Sequence, residues 1–339
     1  MPGWRRGAYR AARPFLFAVD AERIHQLTLT LLGWSGRHAP WLCRLASGTG
    51  HSEAATVEVM GLRFRNRIGL GAGFDKDGVA IEGWAALGLG FVELGTVTPN
   101  PQPGNARPRL YRLPHDEALI NRMGFNNGGA DALASRIAAA RPQLPAGFVV
   151  GANIGRNRDG TADDYPAAAR ALRDVADYLA INVSSPNTRG LRQLQEPDRL
   201  RAIVESVADA APERPLAVKL SPDLSDRERS VLLAALTGAP IGAVITSNTT
   251  VTRPRLRSRR LAQESGGLSG RPLLPMTAAV VQRVAGRGPA VIASGGIASA
   301  ADVGTVLASG ADLVQLWTGL VYAGPGLIGE AVRAESRHA

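Results

Sequence analysis

Cysteine is nearly absent from this chain of 339 residues: Cys43 stands alone, so no intrachain disulfide can form, and the composition gives no reason to expect an oxidising compartment. Long apolar runs are missing as well. No uninterrupted stretch reaches the roughly 18 residues of a membrane-spanning helix. Met1 to Arg13 lacks the charged-then-apolar order of a secretory signal, so a mature protein beginning near Met1 and kept on the cytoplasmic side is expected. Lysine is scarce: of 39 basic residues only Lys76 and Lys219 are lysines. A chain that favours arginine so strongly keeps lysine where a compact ammonium is needed and a planar guanidinium does not fit.

What is abundant is apolar residues, at 45%, enough for one large domain plus a modest appendage. The net charge of +10 is unevenly spread. Arginines 5, 6, 10, 13, 23, 37 and 44 face only Asp20 and Glu22 within residues 1–50, so half of the excess lies there. Interleaved with Phe15, Phe17, Trp34 and Trp41, that segment fits an anionic lipid surface at least as well as a phosphate backbone. A solvated basic face is the plainer alternative.

From Arg67 onward short β-rich runs, Gly- or Asn-containing turns and helical stretches alternate, the pattern of a parallel α/β sheet. Strands are predicted at Ile68–Gly71, Phe91–Thr96, Phe148–Asn153, Tyr178–Val183, Leu216–Leu220, Ala243–Ser247, Ala290–Ser294 and Leu313–Trp317. Helices are predicted between them, among them Asp77–Leu87 and Pro272–Ala285. Eight such units suit a parallel (β/α)8 TIM-type barrel; a doubly wound sheet is the alternative, but no G-x-G-x-x-G follows the first strand. Val57–Met60 with Leu62–Asn66 reads as a hairpin plugging the barrel's bottom, and Leu110–Leu113 with Ala118–Asn121 as a hairpin added at the top. Residues 1–50 form a separate helical domain before the barrel of 51–339. Two amphipathic helices are expected there, one marked by Ile24, Leu27 and Leu31, the other by Trp41, Leu42 and Leu45, with Gly33, Gly36 and Pro40 between them. They would either cap the barrel or dip into a bilayer interface.

Reactive groups of a barrel belong at the C-terminal ends of its strands. Here those ends carry Asn153, Asn182, Lys76, Lys219, Ser247 and Thr318, where a purely structural layer would be aliphatic. Such polar groups are costly to bury unless a polar ligand, such as a planar heterocycle, bonds them. Gly295-Gly296 and Thr318-Gly319 close the last two strands, where barrel enzymes hold phosphate.

The chain resembles dihydroorotate dehydrogenases over essentially its whole length. The resemblance is carried by Gly73-Phe74-Asp75-Lys76-Asp77, Gly95-Thr96-Val97-Thr98-Pro99, Asn121-Arg122-Met123-Gly124-Phe125-Asn126, Asn182-Val183-Ser184-Ser185-Pro186-Asn187-Thr188, Ser247-Asn248-Thr249-Thr250, Gly266 to Leu273, and Ser294-Gly295-Gly296-Ile297. It implies an FMN cofactor lined by Ala72, Gly73, Phe74, Asp75, Lys76 and Thr96. Asn153, Asn182 and Ser247 would lie by its ring and Lys219 by the N1/O2 side, where charge collects on reduction. Gly270, Gly296, Trp317 and Thr318 would hold its phosphate region. Dihydroorotate would meet Lys76, Asn121, Arg122, Met123, Gly124, Phe125, Asn182, Asn187, Asn248 and Thr249. No metal is implied.

Oxidation of dihydroorotate removes a proton from C5 and a hydride from C6, so a base must face the substrate opposite the flavin. The resemblance implies that Ser185 is that base, with Thr188 and Phe125 shaping its proton relay. Serine marks the quinone-reducing class; the cytosolic class uses cysteine, and Cys43 lies outside the barrel. The same class carries an N-terminal helical hairpin that opens a tunnel from the bilayer to the flavin, which implies a peripheral protein on the cytoplasmic face of the cell membrane. His25 and Arg109 would lie along the quinone path. Two residues depart from the family pattern: Ser247 replaces a threonine, keeping the hydroxyl, and Trp317 replaces a tyrosine, whose hydroxyl both donates and accepts whereas indole only donates.

Rival readings explain less. A flavin barrel of the 2-hydroxyacid oxidase kind needs a histidine base, and no histidine falls at a predicted strand end. A basic scaffold or nucleic-acid-binding barrel gains from arginines 253, 255, 257, 259 and 260 but leaves the asparagine and lysine mouth unexplained. A monomer that binds no nucleic acid is expected.

Overall fold

The computed structural model describes residues 3–50, 56–188 and 190–336. The expected boundary between residues 50 and 51 touches a stretch outside them.

The chain opens with three helices, α1 (Gly3–Ala18), α2 (Ala21–His38) and α3 (Pro40–Ser47). The Asp20 carboxylate caps α2 by accepting the N–H groups of Glu22 and Arg23 at 3.1 and 3.0 Å. Pro40 starts α3 where a missing N–H is harmless, and Gly48, at φ 72°, ends it. The two-helix expectation is therefore corrected to three. Helix α1 escapes the apolar count because polar contacts also anchor it: Tyr9 donates to the Val321 carbonyl at 2.7 Å and Arg13 to that of Tyr322 at 3.1 Å. Gly33 and Gly36 do not separate helices either. They lie within α2, where a Cβ would stand 2.4 Å from the Val79 carbonyl oxygen or 2.2 Å from the Gly83 nitrogen. They are the contact by which α2 lies against the barrel.

Strands β1 (Val57–Val59) and β2 (Leu62–Phe64) form the expected antiparallel hairpin. Then follow β3 (Ile68–Leu70), α4 (Ile81–Ala86), β4 (Phe91–Val97), β5 (Leu110–Leu113), β6 (Ala118–Asn121), α5 (Ala130–Ala140), β7 (Val149–Ile154), α6 (Asp164–Leu172) and β8 (Tyr178–Asn182). The chain continues through α7 (Pro197–Ala210), β9 (Leu216–Lys219), α8 (Asp226–Ala235), β10 (Ala243–Thr246), β11 (Gly267–Gly270), α9 (Leu274–Val284), β12 (Ala290–Ser294), α10 (Ala300–Ala308), β13 (Leu313–Leu316), α11 (Thr318–Ala323) and α12 (Gly326–Glu335). Eight parallel strands close a TIM-type barrel in the order β3, β4, β7, β8, β9, β10, β12, β13. The doubly wound alternative is excluded by that closure.

Phe91, Tyr178, Ile245, Ile292 and Leu313 fill the lower interior, and Phe64 of the hairpin meets Phe91 edge-on at 5.5 Å to close it from below. The expected helix at Asp77–Leu87 is shorter than the pattern suggests. The Asp75 carboxylate accepts the N–H groups of Val79 and Ala80 at 2.8 and 2.9 Å and holds the preceding residues in a turn. At the upper end β11 joins the added hairpin, giving a three-stranded sheet in the order β11, β6, β5 beside the mouth.

Candidate active site

The inward side chains of the upper barrel form a polar layer over that apolar plug. Glu93, fully buried on β4, accepts from Asn153 Nδ2 at 2.8 Å, Tyr178 OH at 3.1 Å and Gln315 Nε2 at 2.6 Å, with Lys219 Nζ at 3.9 Å. Burial lowers the Lys219 pKa and the Glu93 charge opposes that shift. One step higher, Asn182 Nδ2 donates to Thr96 Oγ1 at 2.8 Å and to Asn153 Oδ1 at 3.2 Å, and its Oδ1 accepts from Asn248 Nδ2 at 3.2 Å. These bonds fix the amide faces before any ligand arrives.

Above this layer opens a cavity. Its wall gathers residues far apart in sequence: Lys76, Thr96, Asn121 and Phe125 from one side, Asn182, Ser185, Asn187, Lys219, Ser247, Asn248 and Thr249 from another, and Gly270, Gly296, Trp317 and Thr318 from a third. Ala72, Gly73, Met123 and Gly124 complete the expected set that lines it. Gly124 and Phe125, both left-handed at φ 72° and 54°, turn the Phe125 ring inward. Burial lowers the Lys76 pKa to about 8, with the Arg109 charge adding to the effect and Asp77 opposing it.

Other expected residues stand behind the wall. Phe74 packs between Trp317, at 4.8 Å, and Trp84, at 5.3 Å. Asp75 accepts from Trp84 Nε1 at 3.1 Å, and burial raises its pKa against the bonds from Val79 and Ala80. Asn153 acts through Asn182 and Thr96. Arg122 points away from the cavity, paired with Glu264 at 2.8 Å, and Thr188 does not line it. The segment 251–265 is bonded at both ends: Arg253 donates to the carbonyls of Glu264 and Gly266 at 2.9 and 2.8 Å, and Asp116 accepts the N–H groups of Arg257 and Ser258 at 2.7 and 3.0 Å.

The polar cavity suits a planar heterocycle that carries an anionic group. Ser247 Oγ and Gln315 Oε1 face it as buried oxygens without a hydrogen-bond partner, an arrangement that a ring with many donors and acceptors relieves. Gly295 and Gly296, at φ 125° and 80°, line it together with Thr318, and their lack of side chains lets an anionic group come close to the backbone.

A second cavity lies between the N-terminal helices and the barrel. Leu16, Phe17, Ile24, Leu32, Leu42 and Cys43 give it an apolar wall. Three residues, His25, Leu110 and Trp317, line both cavities. Trp317 Nε1 donates to the Ala72 carbonyl at 3.0 Å, and the His25 ring meets Phe74 edge-on at 5.0 Å. Burial first, and the Lys76 charge second, lower the His25 pKa to about 4.

Arg109 does not line the apolar cavity. Its guanidinium, buried, clasps the Glu22 carboxylate at 2.6 and 3.1 Å and donates to the carbonyls of Pro103 and Asn105, tying α2 to the barrel mouth. The arginine that does line it is Arg112, which donates to the Leu16 carbonyl at 3.2 Å and covers the Phe17 ring. Strand alternation carries this signal: Leu110 and Arg112 share one face of β5, and Arg109 precedes the strand. Glu93 was legible in the same way, as a lone carboxylate on the inward face of an otherwise apolar strand.

A closed barrel with a polar cavity at the C-terminal ends of its strands and an adjoining apolar cavity has the build of a cofactor-dependent barrel enzyme. The family model described as "Dihydroorotate dehydrogenase" matches residues 54–335. "Dihydroorotate dehydrogenase (quinone)" of Azoarcus sp. (strain BH72) is 46% identical over 342 residues, 96% of this chain and 98% of that one. The protein of the same name from Burkholderia pseudomallei (strain 668) is 45% identical over 344 residues, covering 97% and 98%. Among solved structures, DHODH of Eimeria tenella in complex with ferulenol aligns at TM-score 0.80 with 34% identity, over 89% of this chain and 90% of that one. The chain belongs to the dihydroorotate dehydrogenase family, a family of flavoenzymes.

Proposed function

We propose that this chain is a quinone-reducing dihydroorotate dehydrogenase whose flavin is FMN. The reaction oxidises (S)-dihydroorotate to orotate, a step of pyrimidine (UMP) biosynthesis, with quinone as final acceptor. The observation that carries the reading is the wall shared by the polar and apolar cavities, which brings two separately entered ligands to opposite sides of three residues.

When bound, FMN supplies the acceptor for the C6 hydride and holds two electrons until the quinone takes them with two protons. The chain's own groups do the rest. Gly270, Gly296, Trp317 and Thr318 would hold the phosphate region, while Ala72, Gly73, Thr96 and Ser247 would flank the ring, supported from behind by Phe74, Asp75 and Asn153. Lys219 would supply positive charge beside the ring, where it stabilises the reduced form. Lys76 meets the substrate carboxylate, and Asn121, Asn182, Asn187, Asn248 and Thr249 bond the amide and carbonyl edges, with Met123, Gly124 and Phe125 closing over them.

Ser185 Oγ takes the C5 proton as the C6 hydride leaves, and the C5–C6 double bond of orotate forms. Serine is a weak base, so its proton must pass onward. Phe125 shields that step on one side, and Thr188, three residues along the same loop, relays the proton toward solvent, giving up its own hydroxyl proton as it accepts one. Arg122 acts through the segment it pairs with, around Glu264 and Ser265.

Residues 1–50 form the quinone-entry module and 51–339 the catalytic barrel. No helix among the described residues is long and apolar enough to cross a membrane. The helices instead expose Trp4, Phe15, Leu27, Leu31, Trp34, Trp41 and Leu45 beside exposed Arg10, Arg23, Arg37 and Arg44. That surface suits insertion into an anionic leaflet, so the protein works as a peripheral monomer on the cytoplasmic face of the cell membrane. His25 and Arg112 face the quinone in the apolar cavity; Arg109 holds the cavity together through Glu22.

The test is anaerobic bleaching of the flavin by dihydroorotate, followed by separate addition of a quinone, fumarate or NAD. Quinone alone restores the colour rapidly if the reading holds. Fast reoxidation by fumarate or NAD, or no bleaching, overturns it. Co-sedimentation with anionic but not neutral vesicles tests the lipid surface.

A further inference from the structure

We propose that Glu93 is a positioning residue for the electron chemistry: a buried counter-charge behind Lys219 that offsets the lysine's attraction for stored electrons and so sets the flavin's reduction potential. The inference rests on the reading of the polar cavity as the FMN site.

Four barrel strands converge on this carboxylate. Asn153 of β7, Tyr178 of β8 and Gln315 of β13 bond it at 2.8, 3.1 and 2.6 Å, and Lys219, at the end of β9, stands at 3.9 Å. Every one of these partners presents a donor, the surroundings of a carboxylate that only accepts. Glu93 is completely buried, so its charge cannot be screened by solvent. An aliphatic layer at this height would close the barrel without the desolvation cost of a charge. The feature the layer maintains is therefore the negative charge itself.

The order of the charges gives the direction of the effect. Lys219 lines the cavity, whereas Glu93 does not; the carboxylate lies on the far side of the ammonium. Two-electron reduction adds negative charge to the flavin, which Lys219 stabilises from the nearer position. Glu93 opposes it from the farther one, and in a low-dielectric interior that opposition remains substantial. The pair leaves the flavin reducible by dihydroorotate yet still able to release its electrons to quinone. Neutralising Glu93 removes the opposing half alone.

The experiment is a spectroelectrochemical titration of the full-length, flavin-loaded protein at pH 7. Glu93→Gln is expected to shift the equilibrium for two-electron reduction about tenfold toward the reduced form, an upward change of about 30 mV. Lys219→Met shifts it the other way, and the double variant falls between the two single ones. Tyr178→Phe, which removes a neutral donor and keeps the charge, moves the potential by much less than Glu93→Gln. Should Glu93→Gln not fold, Glu93→Asp, whose shorter stem withdraws the charge from Lys219, is read for a smaller upward shift.

A flavin-loaded Glu93→Gln, or failing it Glu93→Asp, with the parent's potential would overturn the proposal and leave Glu93 a structural group. So would a Tyr178→Phe shift as large as that of Glu93→Gln, since packing rather than charge would then be responsible. Absence of a flavin spectrum in the purified parent refutes the FMN reading beneath it, and is visible before any titration begins.

Discussion

Arg109→Met is expected to loosen the N-terminal helices and slow reoxidation by quinone while sparing reduction by dihydroorotate. Arg109 and Glu22 are both buried, joined by two bonds at 2.6 and 3.1 Å, and Arg109 also satisfies the Pro103 and Asn105 carbonyls at 2.6 and 2.8 Å. Removing one partner of a buried pair strands the other charge, at a cost of about 3–5 kcal/mol. Arg107 remains on Glu22 at 2.9 Å, but its own side chain is 61% exposed, so the lower end, about 3 kcal/mol, is the expected loss. The pH dependence has a definite sign. Burial alone would raise the Glu22 pKa, but bonds and charge from Arg109 and then Arg107 outweigh it and hold the pKa below its ordinary value of 4.5. The pair's contribution is thus fully present above that value and is lost as pH falls through the lower, folded-state value. Urea denaturation should show a wide gap between parent and variant at pH 7 that narrows in acid, and Glu22→Leu/Arg109→Met should recover much of the loss. Stopped-flow measurement of the two half-reactions supplies the functional readout. Additive costs for the two substitutions, or an unchanged quinone half-reaction, would refute the reasoning.

Ser185→Ala should keep its flavin yet lose most turnover, while Ser185→Cys should retain more activity at high pH, where the thiolate forms; near-normal flavin reduction in the alanine variant would sink the base assignment. Lys219→Arg should impair FMN binding or reduction despite conserving charge, because the planar guanidinium must fit where a buried ammonium now sits, and flavin content with reduction rate checks it. His25, with its pKa lowered to about 4, binds fewer protons folded than unfolded at mildly acidic pH. Stability should therefore drop as pH falls from about 6.5 toward 4, and His25→Asn should flatten that slope in urea titrations. Deleting residues 1–50 should leave reduction by dihydroorotate in any soluble, flavin-loaded product but cripple long-tailed quinones more than tailless ones, each buried methylene contributing roughly 0.8 kcal/mol. An unchanged ratio between the two acceptors would make those residues a structural cap.

The barrel was readable because each of its strands is a short apolar run ended by polar or glycine residues, a pattern with period and punctuation. Within the N-terminal helices the same rule misled: Gly33 and Gly36 look like breaks in a sequence, yet their meaning is a neighbouring backbone that only the fold supplies. Helix α1 and strand β11 were invisible for a related reason, since contacts distant in sequence hold them, Tyr9 to Val321 and Leu268 to Ile120. Most cavity-lining positions came from ordered motifs. Arg112 and Glu93 did not, although each follows from strand alternation once the strand is drawn. Arg109 shows the limit of reasoning by likeness: an arginine near the right place proved to be occupied by a carboxylate 87 positions away.

Acceptor choice follows from how charge is distributed across the shared wall. On the polar side stand Lys76 and Lys219 with Gly295 and Gly296, a setting for anions such as a phosphate and a carboxylate. On the apolar side His25 is neutral over the physiological range, the Trp317 N–H is bound to the Ala72 carbonyl, and Leu110 completes the wall. Arg112 is the charged side chain lining that cavity, and its guanidinium is engaged by the Leu16 carbonyl and the Phe17 ring. A dicarboxylate or dinucleotide entering there would shed its hydration without gaining equivalent bonds, a cost of several kcal/mol per charge. A neutral quinone sheds little and gains apolar contact along its tail. The helices that wall this cavity also expose tryptophans and leucines outward, the surface on which the proposed entry of a lipid-dissolved acceptor rests. The selectivity for quinone thus arises from the dielectric of the path to the flavin, independently of the residues that oxidise dihydroorotate.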